Sequence, residues 1–221
     1  MPLSPIITGA SGMVGRAVLL ECLDNPHVER VVMINRRPVD VHHPKLTEII
    51  HADFSDIGPI REQLRGYDAC FYCAGVSVVG KSEEEYTRLT YELVVSFART
   101  LHDVNPNLVL NYVSGVGTDV NGRQMWARVK GRTEVKLLNV GFRDAYMFRL
   151  GMLLPERDLP MKTVWVAAMY RIFKPLAPLL RRFSWATTDK KLGRAMINVV
   201  LHPREEKIVE SADINRLGTL T

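Results

Sequence analysis

The chain has 221 residues, 47% hydrophobic and 24% charged, with 29 basic and 24 acidic side chains and a net charge of +5. This length fits one large α/β domain better than two, and a charge spread without a polybasic tail suits a small anionic ligand at least as well as nucleic acid, so no nucleic-acid partner is expected. No apolar run approaches the roughly 20 residues that span a bilayer, and a first strand beginning almost at Met1 leaves no room for a signal peptide, which predicts a soluble cytoplasmic protein.

The first element sets the theme. A short apolar run, Ile6-Ile7, breaks into Thr8-Gly9-Ala10-Ser11-Gly12-Met13-Val14-Gly15, and an amphipathic helix follows with Val14, Val18 and Cys22 on one stripe. A buried strand turning through three glycines into a helix brings backbone N–H groups and a helix N-terminus to one point, which suits a pyrophosphate. Gly9 makes the turn, Gly12 admits the phosphates and Gly15 lets helix and strand pack closely; Ser11, Met13 and Val14 belong to the same cradle. The competing reading is an ordinary glycine-rich turn.

A second apolar run, Val31 to Ile34, reads as a central parallel strand and ends at Asn35-Arg36-Arg37. At this place in a dinucleotide fold an acid accepts from the ribose of NAD, whereas arginine pairs with the 2′-phosphate of NADP. Two arginines and no acid favour NADP over NAD, against the plain alternative of two solvated side chains. Pro38 to Lys45 is a loop whose His42-His43 pair reads as solvated. Leu46 to Ala52 is the third strand, leading into Asp53-Phe54, and a helix follows Gly58-Pro59. Ala69 to Cys73 is the fourth strand, closed by Ala74-Gly75, small residues that let backbone lie close to a cofactor. Cys70 and Cys73 form a C-x-x-C, but on a strand they face opposite sides, no second Cys/His pair stands nearby, and three cysteines are an odd number. Buried free thiols are expected, with no metal.

Glu83 to Asp103 reads as a long helix with Tyr86, Leu89, Leu93, Phe97 and Leu101 at helical spacing, expected in the core. Leu108 to Val113 is the fifth strand and ends at Ser114. A helix from about Gln124 to Asn139 puts Trp126 and Lys130 on one face, Gly141 ends it, and Ala145 to Leu150 is the sixth strand. Tyr112, two residues into the sheet from Ser114, is expected in the core. The alternation of strand and helix predicts an α/β fold: a doubly wound, mainly parallel Rossmann sheet with helices on both faces and a small C-terminal substrate or lid region, residues 154–188, within a single domain, 1–221. Lys162 to Phe183, apolar and flanked by Lys174, Arg181 and Arg182, reads first as a substrate lid, then as a homodimer surface, then as a basic patch touching membrane. Thr188-Asp189 caps a further helix to Leu201, and Lys207 to Val209 with Asp213-Ile214 closes the domain.

Thr8-Gly9-x-x-Gly12-x-x-Gly15, Ala74-Gly75, Ser114 and Lys130 together resemble the short-chain dehydrogenase/reductase superfamily. Val129-Lys130-Gly131-x-x-Glu134, Phe148-Arg149-x-Gly151-x-Leu153 and Arg194-Ala195-Met196 are similar to its atypical NAD(P)-binding, epimerase/dehydratase-like branch, and to Tat-interacting oxidoreductase-like proteins in particular. The likeness covers nearly the whole chain. It implies NADP in the glycine loop, Asp53 and Phe54 beside the adenine, Ala74 and Gly75 near the nicotinamide-side ribose, and Lys130 on ribose hydroxyls. The family's catalytic apparatus is Ser, Tyr and Lys, with Tyr four residues before Lys. This sequence keeps Ser114 and Lys130 but has Trp126 where the tyrosine belongs. An indole N–H donates a hydrogen bond yet is no useful acid. Two functions follow from the resemblance: a reductase or epimerase-like enzyme acting on a small carbonyl or sugar-like substrate, with Ser114 holding the substrate oxygen, and a catalytically silent NADPH sensor or interaction protein.

Overall fold

The computed structural model describes residues 2–160, 180 and 183–220. Seven parallel strands form one sheet: β1 (Pro5–Thr8), β2 (Val31–Asn35), β3 (Leu46–Ile50), β4 (Ala69–Tyr72), β5 (Val109–Val113), β6 (Asp144–Arg149) and β9 (Ile208–Glu210). Their order across the sheet is β3-β2-β1-β4-β5-β6-β9. The chain starts in the middle, winds outward through β2 and β3, then crosses back to β4. The strand order therefore reverses between β1 and β4, and the carboxyl ends of those two strands frame a crevice.

Alternation along the strands explains the two helical layers. Ile7, Met33, Phe71, Val109 and Phe148 point to one face, where they meet α1 (Met13–Asp24), α5 (Asp189–Leu201) and α6 (Ser211–Leu217). Ile6, Val32, Cys70, Leu110 and Met147 point to the other, against α3 (Leu93–Val104) and α4 (Met125–Leu138). Central strands with both faces covered have no polar side to show, so β1, β2 and β4 are buried at every position. Edge strand β3 is exposed at two of its positions.

Cys70 lies in one of these layers, Cys73 packs against the other, and all three cysteines are free. Tyr112 is buried, its ring 6.0 Å from that of Tyr72. Thr188 caps α5, its hydroxyl accepting from the Lys191 amide.

Three local readings change. The segment after Gly58-Pro59 is a 3-10 helix, Gly58–Leu64. The long helix is interrupted: α2 (Glu83–Thr87) passes through a π-helical turn, Arg88–Glu92, into α3. A one-residue insertion of this kind rotates everything before it relative to α3. Finally, β7 (Met152–Leu154) and β8 (Ala186–Thr188) pair in parallel as a second small sheet. Both ends of the expected 154–188 lid are thus tied together, while most of Lys162 to Phe183 lies outside the described residues.

Candidate functional site

The crevice at the strand-order reversal is a cleft of about 380 Å³. It is lined by Gly9, Ser11 and Gly12 from the glycine turn, Ile34, Asn35 and Arg36 from the end of β2, Asp53 and Phe54 after β3, and Tyr72 to Val76 after β4. Eight of the residues expected from sequence to touch a nucleotide, Gly9, Ser11, Gly12, Arg36, Asp53, Phe54, Ala74 and Gly75, therefore share one cavity.

Local geometry explains the turn. Gly9 has φ +76°, and a Cβ there would stand 2.7 Å from the Ala74 amide nitrogen. A Cβ on Gly15 would occupy the place of the Gly9 carbonyl. These contacts draw the ends of β1 and β4 and the start of α1 together, and Thr8 Oγ1 accepts from the Ala74 N–H at 3.2 Å. Met13, Val14 and Gly15 form the first turn of α1, which has no side-chain cap and no acidic residue. An uncapped helix start facing a cleft carries partial positive charge and unpaired amides. The turn thus fits a nucleotide diphosphate.

A second, wider cleft adjoins the first at Ser11, Arg36 and Ala52, with Arg16, Arg37 and Asp40 around it. Sequence reading missed Arg16. Its position is a signal nonetheless, because a cation in the first turn of a helix opposes the macrodipole unless an anion is expected there. Arg16 Nε donates to the Ala10 carbonyl at 3.1 Å, and desolvation lowers its pKa against the opposing pull of Asp40 and Glu48. Asp53 is exposed and accepts from the Ser55 hydroxyl and amide, at 2.5 and 2.9 Å, which holds its carboxyl below the ordinary value. Asp53 thereby anchors the loop that forms one wall.

A third cleft, of about 430 Å³, is lined by Val78, Tyr86, Gly115, Val116, Trp126, Lys130, Leu150 and Gly151. Trp126 and Lys130 do share a face, and that face looks into this space. Tyr86 is buried as expected and also lines this cleft; Leu93 packs against the core and, with half-buried Leu89, lines the nucleotide cleft. The Tyr86 phenol is lifted above its ordinary pKa by burial, partly offset by a hydrogen bond with Thr90. Lys130 Nζ forms no hydrogen bond or ion pair with a described residue, and desolvation lowers its pKa while Glu134 opposes the shift.

Ser114 lies in the wall behind this cleft, 5% exposed. Its hydroxyl donates to Glu134 Oε1 at 2.5 Å, and Arg149 reaches the same carboxylate through Nε at 3.2 Å and Nη2 at 2.7 Å. Arg149 continues to Glu210 at 3.1 Å. The sequence signal for this network is the Lys130-x-x-x-Glu134 and Phe148-Arg149 pattern, but only the fold shows that the two runs meet.

Among the described residues no group of three His, Cys, Asp or Glu could hold a metal, and no helix is long and apolar enough to cross a membrane.

The parallel sheet, its order reversal and the glycine turn at that point define the Rossmann class of α/β folds. The chain belongs to the NAD dependent epimerase/dehydratase family, whose sequence model matches residues 6–116. Protein HTATIP2 of Rattus norvegicus is 26% identical over 97% of this chain and 89% of its own length. A fungal relative, protein fmp52, mitochondrial, of Emericella nidulans, is 25% identical over 88% of this chain and 86% of its own. Among solved structures, UDP-glucuronic acid 4-epimerase from Bacillus cereus in complex with NAD superposes with a TM-score of 0.68 at 13% identity, over 94% of this chain and 76% of that one. The last is a likeness of fold.

Proposed function

We propose that this protein binds NADP and acts as a reductase or epimerase-like enzyme on a small carbonyl or sugar-like substrate. The observation that carries this reading is the convergence of the glycine turn, the uncapped start of α1 and the ends of β2 and β4 on one cleft. Gly9, Ser11, Gly12, Met13, Val14 and Gly15 hold the diphosphate, Asp53 and Phe54 flank the adenine, and Ala74 and Gly75 flank the nicotinamide-side ribose. Arg36 and Arg37, joined by Arg16, hold the 2′-phosphate. The coenzyme, once bound, supplies hydride chemistry.

Lys130 is proposed to serve the ribose and the reacting oxygen together, since its ammonium is the one charged group lining the third cleft among the described residues. Ser114, oriented by Glu134, accepts a hydrogen bond from the alcohol form of the substrate. A second reading, a silent NADPH sensor or interaction protein, is favoured by one observation: Trp126 stands where the family places its phenol, and its N–H is directed to Gln124 Oε1 at 3.3 Å. The cytoplasm is the proposed location, beside fungal relatives named as mitochondrial, and a homodimer is the proposed assembly.

Steady-state oxidation of NADPH with a panel of aldehydes, ketones and quinones separates the two readings. Turnover by the native chain that is lost in Lys130→Ala supports the enzyme. Tight NADPH binding without turnover, together with activity gained in Trp126→Tyr, supports the sensor.

A further inference from the structure

Resting on the reading that the glycine turn holds a nicotinamide coenzyme, we infer that the third cleft, lined by Trp126 and Lys130, takes a flat, apolar carbonyl compound laid against Trp126, and not a sugar or a nucleotide sugar.

Hydrogen-bonding capacity separates the two ligand classes. A sugar ring is recognised by several convergent donors and acceptors, because each of its hydroxyls must exchange water for a protein partner. The walls here are Val78, Gly115, Val116, Leu150 and Gly151. Four of these five residues have their backbone donor in use: Gly115 N–H goes to Thr118 Oγ1 (3.4 Å), Val116 N–H to the Leu150 carbonyl (3.2 Å), Leu150 N–H to the Phe148 carbonyl (3.1 Å) and Gly151 N–H to Ser211 Oγ (2.8 Å).

Few polar side chains face the space. Trp126 Nε1 donates to Gln124, which leaves the Tyr86 phenol, beside Thr90, and Lys130. Of the groups lining the cleft, Lys130 Nζ alone has a charge and no partner among the described residues. One cation and one phenol in an apolar slot, beside an indole whose N–H is turned to its own helix, can satisfy one carbonyl oxygen on an otherwise apolar body.

Charge placement disfavours a nucleoside diphosphate in the same space: Arg16, Arg36 and Arg37 line a different cleft, and among the described residues this one has neither a cation cluster nor a glycine-rich helix start. The Bacillus epimerase also has about a quarter of its length without a counterpart here, since the match covers 76% of it. Among the described residues no carboxylate lines the cleft to receive sugar hydroxyls.

The test is saturation-transfer NMR and isothermal titration of the full chain with 1-acetonaphthone and with UDP-glucuronic acid, each with and without saturating NADPH. The ketone is expected to bind saturably, about tenfold more weakly in Trp126→Ala and within about threefold of native in Trp126→Phe, which keeps an aromatic face. UDP-glucuronic acid is expected to show no binding to the NADPH-loaded protein. Binding of UDP-glucuronic acid under that condition, absence of ketone binding, or ketone affinity unchanged in folded Trp126→Ala overturns the inference. NADPH affinity is measured separately in the same titrations. Loss of the coenzyme reading with ketone binding intact is therefore distinguishable from the reverse.

Discussion

Ser114 donates its hydroxyl proton to Glu134 across 2.5 Å, in a wall of the protein where the same carboxylate is held by Arg149. A hydroxyl committed in this way has lone pairs left to accept, but its donor is used. The glutamate side chain is 3% exposed, so its charge depends on those two partners.

Removing that charge should be costly. Glu134→Ala leaves the Arg149 guanidinium, itself only 23% exposed as a side chain, with Glu210 as its remaining partner. Breaking a buried pair from one side costs about 3–5 kcal/mol, and at ~2–4 °C per kcal/mol for a chain of this size the melting temperature should fall by roughly 6–20 °C. Ser114→Ala should cost about 1–2 kcal/mol. Thermal melts of both variants check this, and a Ser114→Ala variant that melts like native yet loses turnover would place the hydroxyl on substrate.

Lys130 gives a pH dependence with a definite sign. Burial lowers its pKa below the ordinary 10.5, so between the lowered value and 10.5 the unfolded chain binds the extra proton and stability rises with pH. Below that window the native state bears the full cost of a desolvated ammonium. Lys130→Met should therefore melt higher than native near neutral pH, with the advantage shrinking as pH climbs toward 10.5. Equal pH dependence of the two proteins would contradict the assigned burial.

The turn itself can be blocked by one methyl group. Gly15→Ala places a Cβ on the Gly9 carbonyl, which is backbone and cannot swing aside. Overpacking of this kind costs about 1–3 kcal/mol. We expect nucleotide affinity to fall at least about tenfold, as the turn and the first amides of α1 part, with circular dichroism retaining the native α/β signature.

Cofactor choice rests on the arginines. Arg36→Ala with Arg37→Ala should weaken NADPH by about tenfold to a hundredfold and NADH by less than about threefold, because only the former has a 2′-phosphate. Adding Arg16→Ala should deepen the NADPH loss. Equal losses for the two nucleotides would remove the 2′-phosphate assignment.

Much of the fold is legible in the amino-acid sequence itself. Ile6-Ile7, Val31 to Ile34 and Ala69 to Tyr72 are apolar at every step because both faces of a central parallel strand are covered, and that signal is local. The glycine spacing is legible for the same reason: each glycine answers to a contact within or just beyond the turn. What stays hidden depends on non-local geometry. The π-helical turn at Arg88–Glu92 leaves no mark in helical periodicity, yet it belongs to the helix that brings Tyr86 to one cleft and Leu89 and Leu93 to another. The partner of Ser114 lies twenty residues away on α4. The pairing of β7 with β8 joins segments separated by more than thirty residues, a distance at which three-residue strands give no pattern to read.

The measurement that bears most directly on the whole account is a calorimetric titration of the native chain with NADPH and NADH, paired with a thermal melt at saturation. One site per chain, tighter NADPH than NADH, and at about 100 times the dissociation constant a stabilisation of ~2.7 kcal/mol, or roughly 5–11 °C, is the predicted result. Heats at the level of dilution and an unmoved melting temperature for both nucleotides would contradict it.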